Sequence, residues 1–225
     1  MANHLDLEEQ EQLDQIKHFW KQYGNAITWA LVVVLSAFAS WNFYQYWQRN
    51  QAVQAAALFD EMDRAIQLSD VERIDRVFSD MKDRFSSTTY AQQSGLLVAK
   101  QYVVLGKHEA AENALIWVAE KSSDPGYQAV AKLRLAAVFM DVKNFNAALL
   151  QLDGRFPASF EPLVADRKGD LFALQGNRNK AVLEYQKAYQ LFNANIDYRR
   201  LVEVKLNALG VDAQVQAATT IVAVK

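Results

Sequence analysis

Residues 26–44 read AITWALVVVLSAFASWNFY, and this stretch decides how the rest of the chain is organised. No Lys, Arg, Asp or Glu lies between Lys21 and Arg49. A helix over these residues rises about 28 Å, which is close to the thickness of the hydrocarbon core of a bilayer. The sequence therefore predicts one transmembrane helix over residues 26–44.

Aromatic side chains flank the apolar run on both sides. Such rings prefer the headgroup region of a membrane, so their position at both ends favours a span. They are Phe19, Trp20 and Tyr23 before the run, and Trp41, Phe43, Tyr44, Tyr46 and Trp47 towards its end and beyond.

Two other interpretations of the apolar run remain open. One is a buried core helix, which an uncharged run of this length disfavours. The other is a cleavable signal peptide, because Ala37-Phe38-Ala39 has the small-x-small pattern of a cleavage site. The region before the run is long and acidic, and the run exceeds a typical signal core, so we expect the segment to remain as a membrane anchor.

Charge and composition exclude some functions and indicate an orientation. The formal net charge is −2, and basic and acidic side chains are equal in number over residues 51–225, which gives no signature for nucleic acid. Cysteine is absent, which is compatible with an oxidising compartment. Lys17 and Lys21 precede the run closely and only Arg49 follows it, so the positive-inside rule places residues 1–25 in the cytoplasm and the body on the other side of the membrane.

The segments next to the span are predicted to be helical. Leu13, Ile16 and Phe19 form an apolar stripe in the tail, which we interpret as an interfacial extension of the membrane helix. A cytoplasmic partner that binds the acidic face of the tail is the alternative. Residues 45–54 are predicted to continue the helix as a linker.

The body, residues 55–210, is predicted to be built from pairs of helices. A pair over 55–68 and 71–85 comes first, with Ser69 or Asp70 as the N-cap of its second helix. Three similar units follow: 91–105 with 108–121, 128–142 with 146–155, and 162–175 with 180–192. The alanines Ala111, Ala148 and Ala181 open the second helices at intervals of 37 and 33 residues. Periods near 34 residues with two helices per unit are typical of helical solenoids.

These units resemble the tetratricopeptide repeat, and the third, GDLFALQGNRNKAVLEYQKA (169–188), fits best. The resemblance implies a small residue where the two helices of a unit cross and an aromatic residue beside it. Lys143 replaces the turn glycine of the second unit, and Arg155 stands where a small residue is usual. The packing positions predicted on this basis are Ala99, Tyr102, Ala111, Ala136, Phe139, Ala148, Gly169, Phe172, Gly176, Ala181, Tyr185 and Ala188.

The chain is predicted to end in a capping helix and a disordered tail. The helix covers 199–209, with Leu201, Val202 and Leu206 and the stem of Lys205 against the last repeat, and Gly210 stops it. Residues 211–225 are predicted to be mostly disordered. The predicted fold class is therefore all-α: one N-terminal transmembrane helix followed by a tetratricopeptide-like solenoid.

No catalytic or cofactor-binding constellation is found in the sequence. His4, His18 and His108 lack metal-ligand spacing, and there is no phosphate-binding glycine loop or cysteine nucleophile. Asp166 and Asp170, four residues apart on one helix face, are the one carboxylate pair that merits consideration as a site. We interpret the pair as a solvated helix face or groove wall rather than as an acid–base or metal site.

The better candidate site is a partner-binding groove. In tetratricopeptide arrays the first helices of the repeats line a concave surface, and the matching residues here are apolar with scattered charge. Such a lining suits extended apolar segments of unfolded chains, although these side chains could instead pack between neighbouring helices. The predicted groove residues are Gln93, Leu96, Lys100, Val103, Val104, Val130, Leu133, Ala137, Met140, Asp141, Leu163, Asp166, Asp170 and Leu174.

The combined layout of acidic tail, single span and repeat body resembles the bacterial YfgM family, the ancillary subunits of the SecYEG translocon. The sequences ADRKGDLFALQGNRNKAVLEYQKAYQL (165–191) and RRLVEVKLNALG (199–210) carry the resemblance. It implies a single-pass inner-membrane protein with a periplasmic body. Its implied partners are SecYEG, the membrane-anchored folding factor PpiD, and translocating or unfolded envelope proteins.

Two functions are consistent with this organisation. The first is a non-catalytic adaptor or chaperone that passes translocated proteins to periplasmic folding factors. The second is a membrane-anchored scaffold for envelope biogenesis or cell division that binds no unfolded clients. An enzyme is the third class, and the sequence offers no constellation for it.

Overall fold

The computed structural model describes residues 7–212, and their side chains from Glu11 onward. The chain divides into two compact units, Met1–Val53 and Gln54–Lys225. Residues 7–212 contain helices and turns and no strand, which confirms the all-α fold class. Residues 213–225, which include most of the tail predicted to be disordered, lie outside the described part.

The first helix, α1, spans Leu7–Gln67 and contains the apolar run. Within the described residues, α1 is the one helix long and apolar enough to cross a membrane. The side chains of the apolar run are exposed except that of Ile27, which is half-buried. Thr28 donates its hydroxyl proton to the carbonyl of Gly24 at 2.7 Å, which satisfies a polar side chain inside the run.

The remaining helices follow the predicted order, and their ends differ from the predictions by at most three residues. They are α2 (Val71–Phe85), α3 (Thr89–Val104), α4 (His108–Lys121), α5 (Pro125–Asp141), α6 (Phe145–Leu152), a 3₁₀ turn (Ala158–Phe160), α7 (Glu161–Leu174), α8 (Arg178–Leu191) and α9 (Tyr198–Ala208).

Two helix boundaries differ most from the prediction, and local capping explains the first of them. Helix α5 starts early because the Asp124 carboxylate accepts hydrogen bonds from two backbone N–H groups and Pro125 occupies the first helical position. Helix α6 ends at Leu152, so Arg155 lies in the exposed segment after it. Arg155 therefore replaces no packing residue, because the helix stops before the position where a small residue is usual.

One turn recurs five times in the described part of the chain. At Ser69, Gly106, Lys143, Gly176 and Gly210 the backbone adopts positive φ, between 53° and 74°. At Gly106, for example, the N–H of Gly106 donates to the carbonyl of Val103, and the N–H of Lys107 donates to that of Tyr102. This is the Schellman pattern, which ends a helix by turning one residue into the left-handed region.

The recurrence of this turn sets the number of repeats. Ser69 occupies the same turn position as the four later residues, so the last part of α1 and α2 form a full helix pair. The sequence matched this pair only in outline, because Met62 stands where the other pairs have alanine or glycine. The described body thus holds four helix pairs, followed by α9 as the first helix of an incomplete fifth.

Apolar side chains form buried clusters that connect successive helices along the body. The largest cluster joins the end of α1 to α7 and includes Met62, Phe78, Leu115 and Leu171. A second cluster fixes α9 to the last repeat through Val202 and Leu206. The predicted packing residues are buried except Phe172, which is half-buried against both clusters, and Gly176, which is exposed in its turn.

Candidate partner-binding surface

The predicted groove residues lie on α3, α5 and α7, the first helices of three consecutive repeats, and the structure divides them by exposure. Gln93, Lys100, Val104, Asp141 and Leu174 are exposed. Half-buried are Val103, Val130, Leu133, Ala137, Leu163 and Asp170. Leu96, Met140 and Asp166 are buried.

An open apolar cavity lies where α3, α4 and α5 meet, with a volume of about 320 Å³. Its apolar lining is Ala99, Val103, Leu115, Ala137 and Val138. We call it the α3–α5 cavity. It brings together both helices of one repeat and the first helix of the next.

Four further side chains complete the α3–α5 cavity: Lys100, Val104, Arg134 and Asp141. Val104 is 72% exposed and lies at the mouth of the cavity. The guanidinium of Arg134 donates to the carbonyl of Leu96 at 3.1 Å and so connects α5 to α3. Lys100 and Asp141 form no ion pair with another side chain in the described part of the protein.

The α3–α5 cavity contains five of the predicted groove residues and four that were not predicted. Leu115 was missed because it belongs to a second helix, and Arg134 because its position was not assigned to the inner face. The sequence does contain a signal for Arg134. It lies three residues before Ala137 in α5, and residues three apart lie on the same side of a helix.

Two predicted groove residues belong to the interior instead. Met140 is 6% exposed and Leu96 is 8% exposed, and both are part of the main apolar cluster. Val130 and Leu133 pack against the same cluster. The prediction that Leu133 and Met140 face a partner was therefore wrong for Met140, because its side chain belongs to the main apolar cluster.

The outer members of the predicted groove have other neighbours. Gln93 donates its side-chain amide to the hydroxyl of Tyr127 at 3.0 Å. Leu163 packs against the C-terminal apolar cluster. Leu174 is exposed at the end of α7. None of these three residues lines the α3–α5 cavity.

Asp166 is not on a solvated face, contrary to the prediction. Its side chain is 1% exposed, and both carboxylate oxygens accept hydrogen bonds from the ammonium of Lys205, at 2.7 and 2.8 Å. The hydroxyl of Tyr198 donates to the same carboxylate at 2.8 Å. Because Tyr198 and Lys205 both belong to α9, Asp166 anchors that helix to α7.

Asp170 belongs to the same ionic cluster. It accepts hydrogen bonds from the Tyr185 hydroxyl at 2.8 Å and the Arg167 guanidinium at 3.4 Å, and its oxygen lies 2.7 Å from the Lys205 ammonium. Both carboxylates are thus engaged by side chains of the protein, as expected for a structural cluster. We name Asp166, Asp170, Tyr185, Tyr198 and Lys205 the α7–α9 cluster.

Burial in the α7–α9 cluster changes the acidity of its tyrosines. Burial raises the pKa of Tyr185 well above its usual value, and the hydrogen bond to Asp170 raises it further. Burial likewise raises the pKa of Tyr198, together with the negative charge of Asp166. Sequence reasoning assigned only the apolar stem of Lys205 to this interface, because nothing local shows that its ammonium meets carboxylates on a distant helix.

Leu201 departs from the prediction on the same helix. It is 45% exposed instead of packed against the last repeat. Val202 and Leu206 supply the buried apolar contacts of α9, so the buried face of the helix passes through these two residues and not through Leu201.

Comparison with known proteins gives consistent matches over most of the chain. The model of a family described as "Tetratricopeptide repeat-like domain" matches residues 17–211. A protein of Neisseria gonorrhoeae named "Ancillary SecYEG translocon subunit" is 30% identical over 210 residues, which cover 93% of this chain and 100% of that protein.

Two further relatives carry the same name. The Haemophilus influenzae protein is 26% identical over 203 residues, covering 90% of this chain and 98% of its own length. The Escherichia coli K12 protein is 25% identical over 176 residues, covering 77% of this chain and 83% of its own length. No solved structure matches the chain significantly.

Proposed function

Because the chain belongs to the family of ancillary SecYEG translocon subunits, with a tetratricopeptide repeat-like domain, we propose that it is a non-catalytic subunit associated with the Sec translocon. The observation that carries this proposal is the extent of the match. Similarity to the Neisseria gonorrhoeae protein covers that protein completely, so it includes the apolar N-terminal helix and the repeats.

The proposal includes a position in the inner membrane. Helix α1 anchors the chain, with residues 26–44 as the span. The tail lies in the cytoplasm and the repeat body in the periplasm. Lys17 and Lys21 before the span, against Arg49 after it, support this orientation.

In this position the body works as an adaptor. It receives translocated envelope proteins at the Sec exit and passes them to folding factors, with PpiD as its membrane-anchored partner. Support comes from the repeat architecture, which presents successive first helices on a shared surface, and from the open apolar cavity between α3 and α5.

Co-purification tests the association with the translocon. The full chain, tagged at its C-terminus and extracted in mild detergent, is expected to retain SecYEG. A single-span protein of the same orientation and abundance serves as the control. Recovery of SecYEG at the level of this control would refute the proposal.

Site-specific photocrosslinking tests the adaptor role against a scaffold. A crosslinker at exposed Val104 is expected to capture newly exported, unfolded chains. A scaffold without clients would crosslink only to folded envelope proteins, and that result would favour the second function.

A further inference from the structure

We infer that the α3–α5 cavity binds a short extended peptide segment through two aliphatic side chains that lie two residues apart. This inference rests on the proposed function and specifies where an unfolded client would bind and what chemistry it would need. The occupant is a polypeptide, and not the acyl chain of a lipid.

The size and lining of the cavity determine which side chains of a ligand can enter it. Its volume of about 320 Å³ lies at the small end of ligand pockets, which start at about 300 Å³. The floor consists of alanine, valine and leucine side chains, so it offers aliphatic contacts and no internal hydrogen bond. In an extended chain every second side chain points to the same side, so a Leu-x-Leu segment can place both leucines into the cavity.

The two charged side chains at the rim of the cavity require a ligand that offers both a hydrogen-bond acceptor and a hydrogen-bond donor. Lys100 on α3 can donate a hydrogen bond and Asp141 on α5 can accept one, and neither is paired within the described residues. Each residue of an extended peptide offers one C=O acceptor and one N–H donor, so its backbone satisfies both rim groups. A fatty acid offers acceptors only and would leave Asp141 facing a carboxylate.

Comparison with the next repeat shows why the cavity lies here. Met140 lies three residues before the turn residue Lys143, just as Val103 lies three residues before Gly106. Asp170 lies six residues before Gly176, just as Ala137 lies six residues before Lys143. Met140 is buried, whereas Val103 is half-buried, and Asp170 is engaged by Tyr185 and Lys205 on the other side of α7. The smaller side chain at 103 therefore leaves a space between α3 and α5, while the larger Met140 is buried at the equivalent position one repeat later.

Peptide binding to the full chain in neutral phospholipid nanodiscs tests this inference. The probe is a short fluorescent peptide that contains Leu-x-Leu in an otherwise polar sequence, and empty nanodiscs serve as the blank. The wild-type chain should bind this peptide and should bind its Ser-x-Ser counterpart at least tenfold more weakly. Equal binding of both peptides, or no binding of either, would overturn the inference.

Matched variants locate the binding. Ala137→Leu fills the cavity and should weaken peptide binding at least tenfold, whereas Ala173→Leu on exposed α7 surface should not change it. Melting curves confirm that both variants fold. Lys100→Gln is on the exposed rim, where it leaves folding intact, and should weaken binding several-fold. Unchanged binding by both Ala137→Leu and Lys100→Gln would overturn the inference.

A competing ligand separates the two possible occupants. Fluorescent dodecanoate should bind wild type and Ala137→Leu equally, through the nanodisc lipid. Loss of dodecanoate binding in Ala137→Leu, with peptide binding unaffected, would assign the cavity to an acyl chain. Co-purification of Ala137→Leu with SecYEG should persist, so failure of peptide binding and failure of translocon association are separate results.

Discussion

At the scale of single residues, paired positions in the third repeat show how side-chain size is matched across a helix crossing. The crossing positions hold Ala99 with Leu115 in one repeat and Ala136 with Leu152 in the next. In the third they hold Gly169 with Tyr185. A Cβ atom on residue 169 would overlap the Tyr185 ring, so the larger aromatic requires the smaller partner.

Gly169→Ala should therefore lower the free energy of unfolding by about 1–3 kcal/mol through overpacking. Urea unfolding of the full chain measures the change. The double variant Gly169→Ala with Tyr185→Leu recreates the pair found in the other repeats and should be more stable than Gly169→Ala alone. If the losses of stability in Gly169→Ala and Tyr185→Leu simply add in the double variant, the helix crossing is not the cause.

The backbone conformation of Lys143 gives a second prediction at this scale. Its φ of 58° lies in the left-handed region, where the other repeats from Gly106 onward use glycine. Left-handed backbone costs a non-glycine residue about 1–2 kcal/mol, and the greater freedom of unfolded glycine offsets part of this.

Lys143→Gly should consequently raise the free energy of unfolding by about 0.5–1 kcal/mol. The midpoint of urea unfolding provides the measurement. The reverse change, Gly176→Lys at the equivalent turn, should lower stability by a similar amount. A Lys143→Gly variant that is less stable than wild type would contradict this explanation.

At the scale of elements, α9 is held to the last repeat by charge as well as by apolar packing. Val202 and Leu206 are fully buried, and the Lys205 ammonium lies between Asp166 and Asp170. A buried ion pair contributes little net stability, but removing one partner leaves an uncompensated charge.

Lys205→Met should accordingly destabilise the attachment of α9 by about 3–5 kcal/mol, because Asp166 stays buried with only the Tyr198 hydroxyl. Faster hydrogen exchange of the α9 amides, with the earlier repeats protected as before, is the expected readout. Lys205→Met combined with Asp166→Leu should restore much of the protection. If α9 stays protected in Lys205→Met, the ionic contacts do not hold it.

The tyrosines of the same cluster make stability depend on high pH. The pKa of folded Tyr185 is raised above the value of about 10 expected in the unfolded chain, so the stabilisation is complete below about pH 10. It decreases as pH rises further, because the unfolded chain then loses its proton first. The free energy of unfolding should fall above pH 10, and more gradually in Tyr185→Phe. Parallel curves for the two proteins at high pH would contradict this prediction.

At the scale of the whole molecule, the orientation in the membrane can be tested with single cysteines, since the natural chain has none. Ser122 is a poor labelling site because it is 3% exposed, whereas Ser123 and Asn179 are exposed. Cysteines at Ser123 and Asn179 should react with membrane-impermeant thiol reagents in spheroplasts. A cysteine at Glu11 should react only after lysis. The opposite pattern would place the body in the cytoplasm, and release of a soluble body would show cleavage near Ala37.

Sequence alone determined those features of this protein that depend on local chemistry. The charge-free run marks the candidate span, and apolar periodicity with Asp, Asn and Gly at the breaks places each helix of the body within three residues. The repeat period then indicates the solenoid, because units of one length stack in one way. Only the repeat built on Met62 could not be recognised as a full unit, since its large residues hide the pattern while its turn at Ser69 keeps the same geometry.

Tertiary structure alone decided which side chains are available to a partner. Leu96 and Val104 lie on one helix with similar character, yet the first is buried and the second exposed, because the neighbouring repeats cover only part of α3. Asp166 and Lys205 meet across 39 positions of sequence, and no local pattern predicts that distance. The α3–α5 cavity likewise depends on residues from two repeats and three helices, so its volume exists only once the repeats have stacked.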